Sequence, residues 1–85
     1  MKRNICVVIP CYRVKHKIFS VYKNIDFKIV DKVIIVDDCC PEKSGKFLQK
    51  IIKKNNKIEF IFLKKNLGVG GATIKGFRYA LKKKI

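Results

Sequence analysis

Three short apolar runs, "ICVVI" at residues 5–9, "KVIIV" at 32–36 and "IEFIFL" at 58–63, constrain this chain more than any other feature. A run that is apolar and β-branched on both faces suits a strand covered on both sides, the condition of a parallel sheet packed between helices. Between the first two runs, Ile18, Val21, Tyr22 and Ile25 recur at i, i+3, i+4 and i+7, one face of a short helix. Between the second and third, Phe47, Leu48, Ile51 and Ile52 oppose Gln49, Lys50, Lys53 and Lys54, which predicts an amphipathic helix that "NNK" breaks. After the third, Ile74, Phe77 and Leu81 predict the apolar face of a third helix. On the same helix Ala72, Gly76 and Ala80 form a small-residue row at i+4 spacing that would let it lie close against a sheet. The order is β-α-β-α-β-α, an α/β, Rossmann-like half-sheet with parallel strands. Pro10 is expected to end the first strand.

A chain of 85 residues buries about 60% or a little more of its unfolded surface, so it holds one domain or part of one. A half-sheet of three strands keeps an open edge, which leads us to expect residues 1–85 to be a single, truncated unit of a longer fold. No run approaches the roughly 18 apolar residues needed to cross a bilayer. The apolar part of "MKRNICVVIPCY" is too short for a secretory leader and ends in Pro-Cys-Tyr, so a cytoplasmic chain is expected. Its four cysteines are then reduced thiols. Cys6 alternates with strand residues as a small core hydrophobe, and Cys11, Cys39 and Cys40 fall at strand ends as ordinary loop thiols. No CxxC pair occurs, which removes zinc-ribbon and thioredoxin chemistry.

The net charge of +15, from 21 Lys and Arg against 6 Asp and Glu, implies an anionic partner: nucleic acid, an acidic membrane surface or a phosphorylated ligand. Most of the lysines, among them Lys50, Lys53, Lys54 and the run Lys82–Lys84, fall on polar helix faces, where a solvated surface is the simpler account. A nucleic-acid platform would interleave exposed aromatics with basic residues. Here Phe19, Tyr22, Phe47, Phe60, Phe62 and Phe77 fall in strands or on largely apolar helix faces, so nucleic acid is the weaker expectation.

In open α/β sheets, ligands bind beyond the carboxyl ends of the strands. "PCYR", "DDCC" and "KKNLGVGG" follow the three strands and are expected to converge there. The glycine stretch fails both common phosphate fingerprints. Gly68-x-Gly70 is followed by Thr73 where a dinucleotide motif needs Gly or Ala, and it follows the third strand rather than the first. Gly71 and Gly76 have P-loop spacing, but Phe77 and Arg78 replace the Lys and Ser or Thr. What remains is a glycine-rich helix start, able to receive a phosphate or simply to turn tightly.

Taken together, "VVIPCY", "VIIVDD" and "NLGVGGATIKGFRYAL", in that order and spacing, resemble the nucleotide-binding part of family 2 glycosyltransferases with the GT-A fold. The third stretch looks especially like polyprenyl-phosphate sugar synthases and bacterial polysaccharide transferases. The resemblance implies that Pro10 and Tyr12 line a nucleobase pocket and that Asp38 accepts a hydrogen bond from the base. It places Asp37 near the ribose or as a support of the loop, and Asn66 and Gly68 toward the donor. A Tyr beyond a strand end offers a stacking face, and a carboxylate accepts from the ring N–H of uracil or guanine but repels acceptor-only edges. The Asp pair could instead cap the next helix, and Tyr12 could be a rim aromatic. Gly71, Ala72 and Gly76 are expected to serve helix–sheet packing, and Lys75 and Arg78 could approach a diphosphate.

The sequence departs from the family at Arg13 and Val14, where Asn and Glu are usual, and in "CCPEKSG", where a Gly-Ser-Thr-Asp-Gly type of turn is usual. It contains no D-x-D, so the carboxylates that hold Mg2+ or Mn2+ in the family, and the base for the acceptor, are expected beyond residue 85. His16 has no visible carboxylate partner and is taken as a surface residue. The expected activity is hexose transfer from a nucleotide-diphosphate sugar to a lipid-phosphate or polysaccharide acceptor, at the cytoplasm or the inner face of an anionic membrane, with residues 1–85 binding donor but not turning it over. A basic polyanion-binding module and an inactive truncated reading frame are the alternatives.

Overall fold

A computed structural model describes residues 5–83; Lys84 of the basic run lies outside the described residues. The elements are β1 (Cys6–Cys11), α1 (Lys15–Lys23), β2 (Lys32–Asp37), α2 (Ser44–Ile51), β3 (Ile58–Phe62) and α3 (Gly68–Lys82). They form one parallel sheet of order β1-β2-β3. The α/β half-sheet expected from the sequence is therefore present. β2 is the centre of the molecule: Val33 to Val36 are all buried, because strands flank it on both edges and helices cover both faces.

The alternation along β2 divides the core in two. Val33 and Ile35 pack with Ile18 of α1 and Leu48 of α2, while Ile34 and Val36 pack with Ala72 and Ala80 of α3. Two crossovers thus cover one face in succession, and α3 returns over β1 and β2 on the other. In such folds ligands bind beyond the carboxyl ends of the strands.

Several elements differ from expectation. Pro10 does not end β1, which continues to Cys11. The carbonyls of Ile5 and Cys11 bond toward β2, accepting from Lys32 and Asp38 N–H at 3.2 and 2.9 Å, so Pro10, one residue out of phase, faces the open edge. A missing N–H costs no ladder bond there. Val21 and Ile51 are exposed rather than inward, Ile25 follows the end of α1, and α2 stops at Ile51, leaving Lys53 and Lys54 outside the helix. The largest change is in α3. Ile74, Phe77 and Leu81 are 53%, 54% and 77% exposed, and the small-residue row faces the sheet instead. Close approach decides this: a Cβ on Gly76 would lie 2.3 Å from Val8 Cγ1, so no side chain fits between helix and sheet. Phe19 and Phe62, also expected to be inward, are exposed.

Cys11 is a buried core residue, not a loop thiol. Burial, with the Asp37 carboxylate and Cys40 adding to it, pushes its thiol up to about 12. Because the folded value lies above the unfolded one, the neutral thiol's contribution is intact below about pH 9 and is lost as the pH rises toward 12. Between pH 8 and about pH 10 the wild type should lose about 1 kcal/mol more stability than Cys11→Ala, as read by urea denaturation at each pH. Equal losses in the two proteins would show that Cys11 is not the group responsible.

Candidate functional site

The loop after β1 is fastened to the start of α2. Arg13 takes a left-handed φ of 55° and its N–H reaches Cys40 Sγ at 3.0 Å. Val14 N–H donates to Ser44 Oγ at 3.2 Å, and Ser44 Oγ lies 3.1 Å from Cys40 Sγ. Burial tends to raise the Cys40 thiol, but the Ser44 hydroxyl and the N–H groups of Ser44, Arg13 and Glu42 outweigh it and lower its pKa. This fastening holds Tyr12, with the Arg13 guanidinium carbon 5.5 Å from its ring centroid. Ser44 was not singled out from the sequence, and Cys40, expected to be an ordinary loop thiol, is instead buried in this clasp. The available signal was a Ser three residues before Phe47, where the α2 periodicity begins, a residue type favoured at helix starts.

The two aspartates after β2 do different work. Asp37 Oδ1 accepts from Cys40 N–H at 2.8 Å and Oδ2 from Gly45 N–H at 2.9 Å, so both oxygens hold the loop and the first turn of α2. No side chain at the N-cap position of α2 does this, because Lys43 stands there with a left-handed φ of 54°. Asp38 is 2% exposed. Its Oδ1 accepts from Leu67 N–H at 2.7 Å, and its carbonyl accepts from Asn66 Nδ2 at 3.2 Å. Oδ2 has no hydrogen bond among the described residues. Asn66 Oδ1 in turn accepts from Gly68 N–H at 3.0 Å. Gly68 has φ +80°, and a Cβ there would meet nothing within 4 Å, so backbone conformation rather than space requires glycine.

These bonds draw the three strand ends together. Tyr12, Asp38, Asn66, Gly68 and Val69 line one depression of about 200 Å³. Pro10 and Asp37 are not among its lining residues: Pro10 lies within β1, and Asp37 is turned toward α2. Lys75 borders a different depression, with Leu63, Lys64, Lys65 and Leu67, and Arg78 is exposed. Gly71 packs against Leu67 of its own loop rather than against the sheet. A larger depression, about 570 Å³, lies between the end of α2 and β3 and contains none of the candidate residues. The 200 Å³ site offers an aromatic face beside a buried carboxylate, which suits a flat ring carrying an N–H donor.

The described residues do not fit a metal site. They contain no group of three His, Cys, Asp or Glu side chains that could hold an ion, and both Asp37 oxygens already accept backbone N–H groups. No helix among them is long and apolar enough to cross a membrane. His16 is exposed.

The model of a family described as glycosyl transferase family 2 matches residues 6–85, which takes in every strand and helix of the sheet. Comparison with curated proteins found no match.

Proposed function

Because this chain belongs to glycosyl transferase family 2, we propose that the depression between Tyr12, Asp38, Asn66 and Gly68 receives the nucleoside end of a nucleotide-diphosphate sugar. One observation carries this: side chains from the ends of all three strands meet around a single buried carboxylate. Tyr12 stacks on the base, and Asp38 Oδ2 accepts its ring N–H. Asn66 and Gly68 shape the wall beside the ribose, and Asp37 supports the loop from behind. Pro10 acts through the backbone, by fixing the chain's exit from β1.

The sugar is a hexose and the acceptor a lipid-phosphate or a polysaccharide, as in the polyprenyl-phosphate sugar synthases that the "NLGVGGATIKGFRYAL" stretch resembles. Residues 1–85 act as one donor-binding unit. Mg2+ or Mn2+ would offset charge on the leaving diphosphate. Residues 5–83 supply no ligand set for that ion. On this reading the chain alone binds donor without transferring sugar.

Calorimetric titration with UDP and GDP at low and high salt tests the proposal. One nucleotide should bind selectively, and Asp38→Asn should weaken it about tenfold to a hundredfold, the range for a lost charge-assisted hydrogen bond. Asn keeps an oxygen for Leu67 N–H, so the fold should survive the change. Tyr12→Ala should weaken both nucleotides together. Equal, salt-labile binding of UDP and GDP that is indifferent to Asp38 would overturn the assignment.

A further inference from the structure

The outer face of α1 and α2 carries a concentration of positive charge that the nucleotide site does not use. Neither helix contains an Asp or Glu, and between Cys39 and Ile58 Glu42 is the one carboxylate. Lys15, Lys43, Lys46 and Lys50 gather with Phe47 and the single carboxylate of Glu42 around one depression of about 310 Å³, and Lys53 and Lys54 continue the exposed series past the end of α2. On α2, Lys46 and Lys50 stand roughly opposite the buried positions Ser44 and Leu48, so they point straight away from the sheet. We propose that this face docks on an anionic lipid bilayer.

Two features favour a bilayer over nucleic acid. The cations of α1 and α2 are all lysines, which act as point charges suited to a diffuse field rather than to bidentate readout of bases or phosphates. The charge is also spread across two neighbouring helices and past the end of α2 rather than confined to that depression. Lys15 directly succeeds the Tyr12–Val14 loop and Lys43 directly precedes α2, so a bilayer seated here lies beside the three-loop depression. The proposal rests on the charge distribution and not on the donor assignment, so vesicle and nucleotide binding can fail separately.

Flotation with phosphatidylcholine vesicles, with and without phosphatidylglycerol, tests it. Two triple variants of equal charge loss are compared: Lys43→Gln/Lys46→Gln/Lys50→Gln on the proposed face, and Lys75→Gln/Arg78→Gln/Lys82→Gln on α3. Circular dichroism confirms that each is folded. The chain should bind only vesicles containing phosphatidylglycerol and release them at high salt. At about fivefold per lysine near an anionic surface, the first variant should lose roughly a hundredfold in partitioning and the second only a few-fold. Equal losses in the two variants, binding to pure phosphatidylcholine, or tighter binding to a duplex oligonucleotide than to the anionic vesicles would overturn the proposal.

Discussion

Asp37→Ala should destabilise the fold by about 3–5 kcal/mol, since it removes two charge-assisted hydrogen bonds and leaves their buried donors unpaired. The donors are Cys40 N–H at 2.8 Å and Gly45 N–H at 2.9 Å. No side chain at the N-cap position replaces the lost acceptor at the start of α2. Nor can Gly45 move away freely, because a Cβ built on it would lie 2.9 Å from Asp37 Cβ, a measure of how tightly the two backbones are packed. Asp37→Asn keeps one acceptor oxygen and should cost about half as much. Small domains have a total stability of about 5–15 kcal/mol, so Asp37→Ala should bring the chain close to unfolding at room temperature. Urea midpoints of the two variants measure this. An Asp37→Ala protein that melts with the wild type would mean that the carboxylate faces a ligand rather than the loop.

Gly76→Val should be about as damaging, by a different route. α3 lies so close to the sheet that even the first carbon of a side chain at 76 would sit 2.3 Å from Val8 Cγ1 and 3.1 Å from Val36 Cγ2. Both contacts are branched strand residues, and Val36 is fully buried, so neither can swing aside. Overpacking of this kind costs about 1–3 kcal/mol, and the two further methyl groups of Val should place it at or above the top of that range. Gly76→Ala should fall lower, because helix propensity returns about 1 kcal/mol. Gly70→Ala is the control: it lies in the same helix with nothing within 4 Å of its would-be Cβ, and it should stabilise by up to about 1 kcal/mol. Combining Val8→Ala with Gly76→Ala should recover part of the loss. If Gly76→Ala proves as stable as Gly70→Ala, the close approach of α3 is not what holds that face of the core.

The strands were legible because β2 is apolar on both faces, a pattern that only a covered central strand tolerates. Helix positions were legible from their period, but which side faced inward was not always so. α3 offers two candidate faces, one of large residues and one of small, and hydropathy alone favours the large. The small face prevails because Val8 and Val36 rise to meet it, a fact of β1 and β2 rather than of α3. Pro10 misled for a similar reason: whether a proline interrupts a strand depends on which side of it has a neighbour.

At the candidate site, the family resemblance pointed to Pro10, Tyr12, Asp37, Asp38, Asn66 and Gly68, of which the structure gathers Tyr12, Asp38, Asn66 and Gly68 around one depression. Adjacent carboxylates in sequence gave no hint that they would divide their roles. Successive residues at a strand end point in opposite directions, so Asp37 turns to the α2 side and Asp38 to the α3 loop. The clasp of Arg13 with Cys40 and of Val14 with Ser44 joins residues about 30 positions apart, a separation that no local pattern encodes.

The sequence by itself determined the strands, the order of alternation and the residue chemistry available at the strand ends, because buried parallel strands and helical periods are local patterns of hydropathy. Only the tertiary structure decided which face of α3 is inward, where β1 ends, and which aspartate supports the loop and which lines the depression. Those outcomes depend on what an element meets across the sheet, and the partner in each case lies far away along the chain.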